Sequence, residues 1–343
     1  MPNFLQSSRV LPGIQRPLLS FVACATCFGS SLILSAAESP FLGRWALTLP
    51  SGTPGWLGVE ERAGVLSGSV LWGDGSPVPV ASAKVEGDRL FVYRLSKVKQ
   101  KNADGSEEEV EVTETLTGTL SGDHLNLVTE KAKADGKMYE RAEFKGFRIK
   151  ALPPKPDLAT VKFGEPIAIF NGKDLTGWRL VKPAADNGWS AQDGILTNRV
   201  VKGMHYGNLR TEAEFEDFNL KLEVRTMEES NSGIYLRGIY EVQIAESFGK
   251  PLDSHHMGAL YGRIIPSVAA EKSMGEWQTL DITLVDRFLT VVLNGKTIID
   301  NQPVLGCTGG ALTSDEFKPG PICLQGDHTN IDYRNVVLRP VVK

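Results

Sequence analysis

The stretch Asn231–Ile244 restricts the fold more than any other part of the chain. Its order, Asn-Ser-Gly-Ile-Tyr-Leu-Arg-Gly-Ile-Tyr-Glu-Val-Gln-Ile, alternates with the two-residue period of an extended strand. Ile234, Leu236, Gly238, Tyr240, Val242 and Ile244 fall on one face and read as core. Tyr235, Arg237, Ile239, Glu241 and Gln243 fall on the other. A guanidinium, a carboxylate and an amide in one row are costly inside a packed sheet unless the row lines a wet cleft. The commoner fate of such a row is a solvated outer face. Gly238 is a place where a bulge would shift the parity.

The same period recurs along the chain, and helical periodicity is almost absent from residues 167–343. In Phe215–Arg225, Phe218, Leu220, Leu222 and Val224 share one face, and Asn219, Lys221, Glu223 and Arg225 the other. Residues 275–284 and 289–298 read as a hairpin-rich pair, with Asn294-Gly295 as a type I′ turn. A two-sheet sandwich follows. Residues 38–150 read as short strands joined by turns, including Gly-Asp turns at 87–88 and 122–123. They predict a small antiparallel up-and-down domain, closed or nearly closed, which loosely resembles lipocalin-like barrels. It shows no catalytic cluster. Residues 151–165, opening on Ala-Leu-Pro-Pro-Lys-Pro-Asp, read as a proline-rich linker. The expected division is 1–37, 38–150, 151–165 and 166–343, all-β after residue 37.

Residues 1–37 read as an export signal. Arg9 and Arg16 precede an apolar run, no acidic residue comes before Glu38, and Ser35-Ala-Ala37 offers a cleavage site. Polar and small residues at 26 and 29–31 interrupt the run short of a full membrane span, so an anchor is the minor alternative. The expected location is periplasmic or extracellular. The formal net charge of −4 becomes more negative once two arginines are removed, which argues against nucleic acid and anionic membrane as partners. Cys307 and Cys323 remain, either as a pair or as two free buried thiols. No zinc cluster of familiar spacing is present.

Several motifs together resemble the 3-keto-disaccharide hydrolase family, long known only as a domain of unknown function. They are Phe-Asn-Gly-Lys-Asp-Leu-Thr-Gly-Trp (170–178), Asn-Ser-Gly-Ile-Tyr-Leu-Arg-Gly (231–238), Tyr-Glu-Val-Gln-Ile (240–244), Leu-Tyr-Gly (260–262), Gly-Glu-Trp (275–277), Leu-Asn-Gly (293–295) and Gly-Pro-Ile-x-Leu-Gln (320–325), with Asp327-His328 and Arg334-Asn335. The likeness covers residues 166–341. It implies a concanavalin-like jelly roll, similar to glucanases. One departure is Gly326, inserted before Asp327-His328.

The resemblance also implies a chemistry. In a 3-keto glycoside the ketone acidifies the C2 proton, so a base can form an enolate, the C1 substituent leaves by elimination, and water adds back. Such a route needs a base, a donor for the enolate oxygen and an acid for the leaving oxygen. Glu241 is the candidate base and His328 the acid or alternative base. Arg237 and Gln243 are candidate oxyanion or hydroxyl donors. Tyr240, Tyr261, Asn231, Asp327 and Trp178 are candidates for holding the sugar. A divalent metal held by Glu241 and His328 is an alternative enolate stabiliser. The bland readings are a structural Glu241, a loop His328, loop histidines at 255–256, and aromatics that belong to the core, Trp277 above all. The competing function is a non-catalytic, lectin-like carbohydrate-binding module on the same fold.

Overall fold

A computed structural model describes residues 39–342 other than 103, 133–137 and 202. The expected signal segment lies outside the described residues. Every regular element described is a strand.

The N-terminal sheet has nine antiparallel strands: Gly43–Thr48, Pro54–Arg62, Val65–Leu71, Val78–Pro79, Ser82–Glu86, Arg89–Lys101, Glu107–Ser121, His124–Ala132 and Met138–Ile149. Sequential strands are neighbours on either side of one seam, between Val78–Pro79 and Ser82–Glu86. The first strand pairs with the last, Trp45 opposite Arg148. At the seam Val80 N–H donates to Gly68 C=O and Ala81 N–H donates to Tyr93 C=O, so the sheet curls almost onto itself. The curl hides its edges and packs Trp45, Leu47, Leu57, Leu90, Leu116 and Leu125 inside. Gly87 and Gly122 take φ of 61° in the two Gly-Asp turns, where a Cβ would be strained.

The C-terminal part is a jelly-roll-type sandwich. One sheet has eight strands, with Phe218–Thr226 at its centre between Ile331–Pro340 and Trp277–Val285. The facing sheet has five, in the order Trp178–Leu180, Leu209–Thr211, Cys323–Leu324, Asn231–Leu236, Tyr240–Ala245. The alternation of Phe218–Thr226 holds: Phe218, Leu220, Leu222 and Val224 are buried against Ile234, Leu236, Val242 and Ile244. Asn294 and Gly295 both have positive φ between Leu293 and Lys296, as the Asn-Gly turn requires. Trp277, the aromatic most expected to belong to the core, instead lies half-buried on the outer face. The Arg225 and Arg334 guanidinium carbons sit 4.7 and 4.0 Å from its ring centre. The two cysteines are free and buried apart, and burial pushes both thiols up to about 12.

Ser39–Lys343 forms one compact unit. Ala46, Trp56, Leu71 and Ile149 of the N-terminal sheet belong to the sandwich's hydrophobic cluster. The proline-rich segment lies along the sandwich: Arg287 donates to the carbonyls of Lys150 and Ala151, and Asn301 Nδ2 to that of Pro156. Arg263 stacks on Trp56 at 4.7 Å, and Ser314 Oγ donates to Leu47 C=O at 2.8 Å.

Candidate active site

The alternating stretch 231–244 is a hairpin rather than one strand. Asn231–Leu236 and Tyr240–Ala245 run antiparallel with Leu236 opposite Tyr240. Arg237 and Gly238 take φ of 56° and 66°, and Ile239 N–H closes the turn on Leu236 C=O at 3.0 Å. The reversal places Tyr235 directly opposite Glu241 and Gly233 opposite Gln243. On one strand Tyr235 and Glu241 would be roughly 20 Å apart; as a cross-strand pair they are about 5 Å apart. Gly233 is a glycine for a local reason: a Cβ there would fall on the Glu241 carboxyl.

The backbone of Glu241 is tied on both sides. Its N–H donates to Thr308 Oγ1 at 3.0 Å, and its C=O accepts from Tyr261 N–H at 3.0 Å. The residue is 2% exposed and lines a polar cleft of about 300 Å³. Tyr235, Gln243, Asn231, Tyr261, Gln325, Asp327 and His328 share the wall, with Asn208, Asp74 and the backbone at Gly75, Gly309 and Gly310.

Burial raises the Glu241 carboxyl to about 8, against smaller downward pulls from the Tyr235 hydroxyl and His328. The Tyr235 hydroxyl donates to Gly309 C=O at 3.0 Å and is also within hydrogen-bonding reach of Glu241. His328 is raised above its ordinary value, first by its hydrogen bond to Asp327. Nδ1–H donates to Asp327 Oδ1 at 2.6 Å, which leaves Nε2 as the nitrogen able to exchange a proton. Gln243 Nε2 donates to Asn231 Oδ1 at 3.0 Å, while its own Oε1 is buried without a partner, as is Gln325 Oε1. Two unsatisfied acceptors on one wall are what a ligand carrying hydroxyls would fill.

The cleft therefore brings together Glu241, His328, Gln243, Tyr261, Asn231 and Asp327. It does not include Arg237, Tyr240 or Trp178. Arg237 sits in the hairpin turn, where its guanidinium donates to the carbonyls of Glu316 (2.8 Å) and Lys318. Tyr240 points into the core, fully buried. Trp178 is buried, with Nε1 donating to Ile169 C=O at 2.7 Å. The inserted Gly326 has a clear setting. Asn208 Oδ1 accepts from its N–H, Asn198 Nδ2 donates to its C=O, and a Cβ would meet the Trp189 ring.

Among the described residues, no group of three or more His, Cys, Asp or Glu is arranged to hold a metal ion. The two groups expected to bind one, Glu241 and His328, both line the cleft.

Sequence reasoning did not single out Tyr235, Gln325, Asn208 or Asp74. Tyr235 could have been found by reading Arg237-Gly238 as a turn. Gln325 stands beside the Asp327-His328 motif. Asp74 carries no signal, because it reaches the cleft from a different sheet.

The sequence model of the 3-keto-alpha-glucoside-1,2-lyase-like domain matches residues 165–339, a span that includes Glu241 and His328. Among solved structures, a provisionally named glycosyl hydrolase of Parabacteroides distasonis is 29% identical, over 56% of this chain and 94% of its own, at a TM-score of 0.43. A second such protein of that organism is 24% identical, over 52% of this chain and 100% of its own, at 0.40. A carbohydrate-binding module of Bacillus subtilis is 13% identical, over 48% and 95%, at 0.32. No curated protein sequence matches. The structural likenesses are too loose to carry an argument.

Proposed function

Because the chain belongs to the 3-keto-alpha-glucoside-1,2-lyase-like family, we propose that its cleft cleaves 3-keto glycosides by elimination and rehydration, with Glu241 as base. The observation that carries this reading is one buried carboxyl raised to about 8 beside a hydroxyl and an imidazole on a polar wall. A base near that value holds a proton more firmly than an ordinary carboxylate, as abstraction from carbon requires.

Glu241 carboxylate takes the C2 proton, and the C2–H electrons move into the enolate at C3. The enolate electrons then form the C1–C2 double bond as the C1–O bond breaks. The departing oxygen takes a proton from His328 imidazolium, whose charge Asp327 supports. Water adds to C1 and gives its proton to His328, while Glu241 returns its proton to C2, so the net change is hydrolysis. Arg237 is engaged with the 316–318 carbonyls, so the enolate donor left on the wall is the Tyr261 hydroxyl. Gln243 and Gln325 accept from sugar hydroxyls. No step is routed through a metal. Export belongs to the proposal and rests on the apolar N-terminal run.

The lectin-like reading draws on the amides at Asn208, Asn231, Gln243 and Gln325. It gives no reason to bury a carboxyl at a cost to its ionised form. The test is incubation with a 3-keto disaccharide and, separately, its unoxidised parent in heavy water. Cleavage of the keto-sugar with exchange at C2, and little cleavage of the parent, is the expected result. Equal cleavage of both sugars would reject the mechanism, and cleavage of neither would favour the binding module.

A further inference from the structure

The wall of the cleft is not supplied by the family domain alone. Asp74 and Gly75 line it, and both lie outside the matched span of 165–339. They belong to the loop Gly73–Pro77, which leaves the strand Val65–Leu71 of the N-terminal sheet. The sandwich clamps that loop from two sides. On one side its backbone packs directly on Gly309, where a Cβ would fall on the N and O of Gly75. On the other, His255 Nδ1–H donates to Asp253 Oδ1 at 2.6 Å, so Nε2 accepts the Ser76 hydroxyl proton at 2.7 Å. The same imidazole meets Tyr261 edge-on at 5.0 Å, and a Cβ on Gly262 would fall on Ser76. A loop held by a backbone contact and by a hydrogen bond is a positioned part of the site.

Asp74 is the charged group this clamp presents. Aspartates in turns commonly accept from the backbone N–H two residues on. Asp104, Asp157, Asp174, Asp253 and Asp315 all do so here. Asp74 makes no such bond among the described residues, although it too lies in a glycine-rich loop. Its carboxylate instead acts across the cleft, adding a little to the Asp327 hydrogen bond that raises His328 and to the burial that raises Tyr261. An independent observation points to a ligand in the same space: Gln243, 3% exposed, leaves Oε1 unpartnered on this wall.

We propose that Asp74 is a specificity-determining residue, whose carboxylate accepts hydrogen bonds from hydroxyls of a neutral sugar and repels sugars carrying a carboxylate or sulfate. The proposal rests on the preceding reading only in taking the ligand to be a carbohydrate. With Asp327 on the same wall, an anionic substituent meets like charge and loses a donor at once, which is how a site rejects a wrong partner of similar shape. It also gives the N-terminal sheet a role, as carrier of the loop that completes the cleft.

The test is calorimetric binding of an unoxidised neutral disaccharide and of its uronate counterpart to the full chain, to Asp74→Asn and to Asp74→Ala. The wild type should prefer the neutral sugar by about tenfold or more. Asp74→Asn keeps an acceptor oxygen but not the charge, so it should bring the two sugars within about threefold. Asp74→Ala should also weaken the neutral sugar, by about tenfold. An unchanged preference in Asp74→Asn with an unchanged melting temperature would overturn the proposal, as would a wild type that binds neither sugar. Turnover measured on the same proteins keeps the two readings apart. Keto-sugar cleavage with a preference indifferent to Asp74 sinks this inference alone. Asp74-dependent binding without cleavage sinks the elimination mechanism alone.

Discussion

The outer face of the eight-stranded sheet and the cleft wall of the five-stranded sheet begin from the same pattern, a row of charged and amide side chains alternating with core residues. On the outer face the charges are paired. Asp332 takes Arg199 and Arg225 at 2.6 Å each, Glu223 takes Arg334 and Asn335, and Asp281 takes Lys221 and Asn219. On the cleft wall, Glu241 makes no ion pair within 4 Å among the described residues, and two glutamine carbonyls have no partner. The lesson is that polarity alone does not mark a site. A face made for stability satisfies its own groups, whereas a face made for a ligand leaves capacity open and bears the cost.

The comparison breaks most sharply at Glu241. Glu241→Gln should lower turnover of a 3-keto glycoside by about 10²–10⁴-fold, because the amide keeps the size but cannot accept the C2 proton. The folded carboxyl stands near 8, above its ordinary 4.5. It therefore favours the folded state fully below the ordinary value, and that stability is lost as pH rises to about 8, at up to about 1.4 kcal/mol per pH unit. The melting temperature of Glu241→Gln relative to wild type should rise between pH 5 and 9, and a difference that stayed flat would mean the carboxyl is not perturbed.

Gly233→Ala should come next, at roughly 10²-fold in turnover, because the new methyl group displaces the carboxyl without touching any charge. Full activity there would show that the position of Glu241 is not critical. The pH profile of kcat/KM sharpens the comparison further. A base role predicts an ascending limb ending near 8 and a descending limb from His328, whereas an acid role for Glu241 predicts a fall through the same value. His328→Ala should cost less than Glu241→Gln if the imidazole only protonates the leaving oxygen, and about as much if it ligates a metal; loss of wild-type activity on adding a chelator identifies the second case. The smallest effect belongs to the outer face. Arg334→Ala should leave turnover unchanged and cost about 1 kcal/mol or less in denaturant unfolding, and a large activity loss would dissolve the distinction between the two faces.

The period-two alternation, the near-absence of helical pattern and the turn residues at 87–88, 122–123 and 294–295 are local properties, so the all-β architecture could be read along the chain. The motif around Glu241 and the Asp327-His328 pair were legible too, because each is contiguous. Arg237 was misplaced for a physical reason: Arg237-Gly238 takes positive φ at both positions, and a turn sends the next residue back rather than onward. That one reversal made Tyr235 the neighbour of Glu241 and removed Arg237 from the row. Chain order alone determined which residues alternate and which turns are cheap. Whether a polar row is saturated by partners or left open, how far burial raises a carboxyl, and that Asp74 stands against His328 across the cleft depend on groups far apart in sequence meeting in space. Only tertiary structure decides these, because desolvation and charge act through distance in three dimensions and not through separation along the chain.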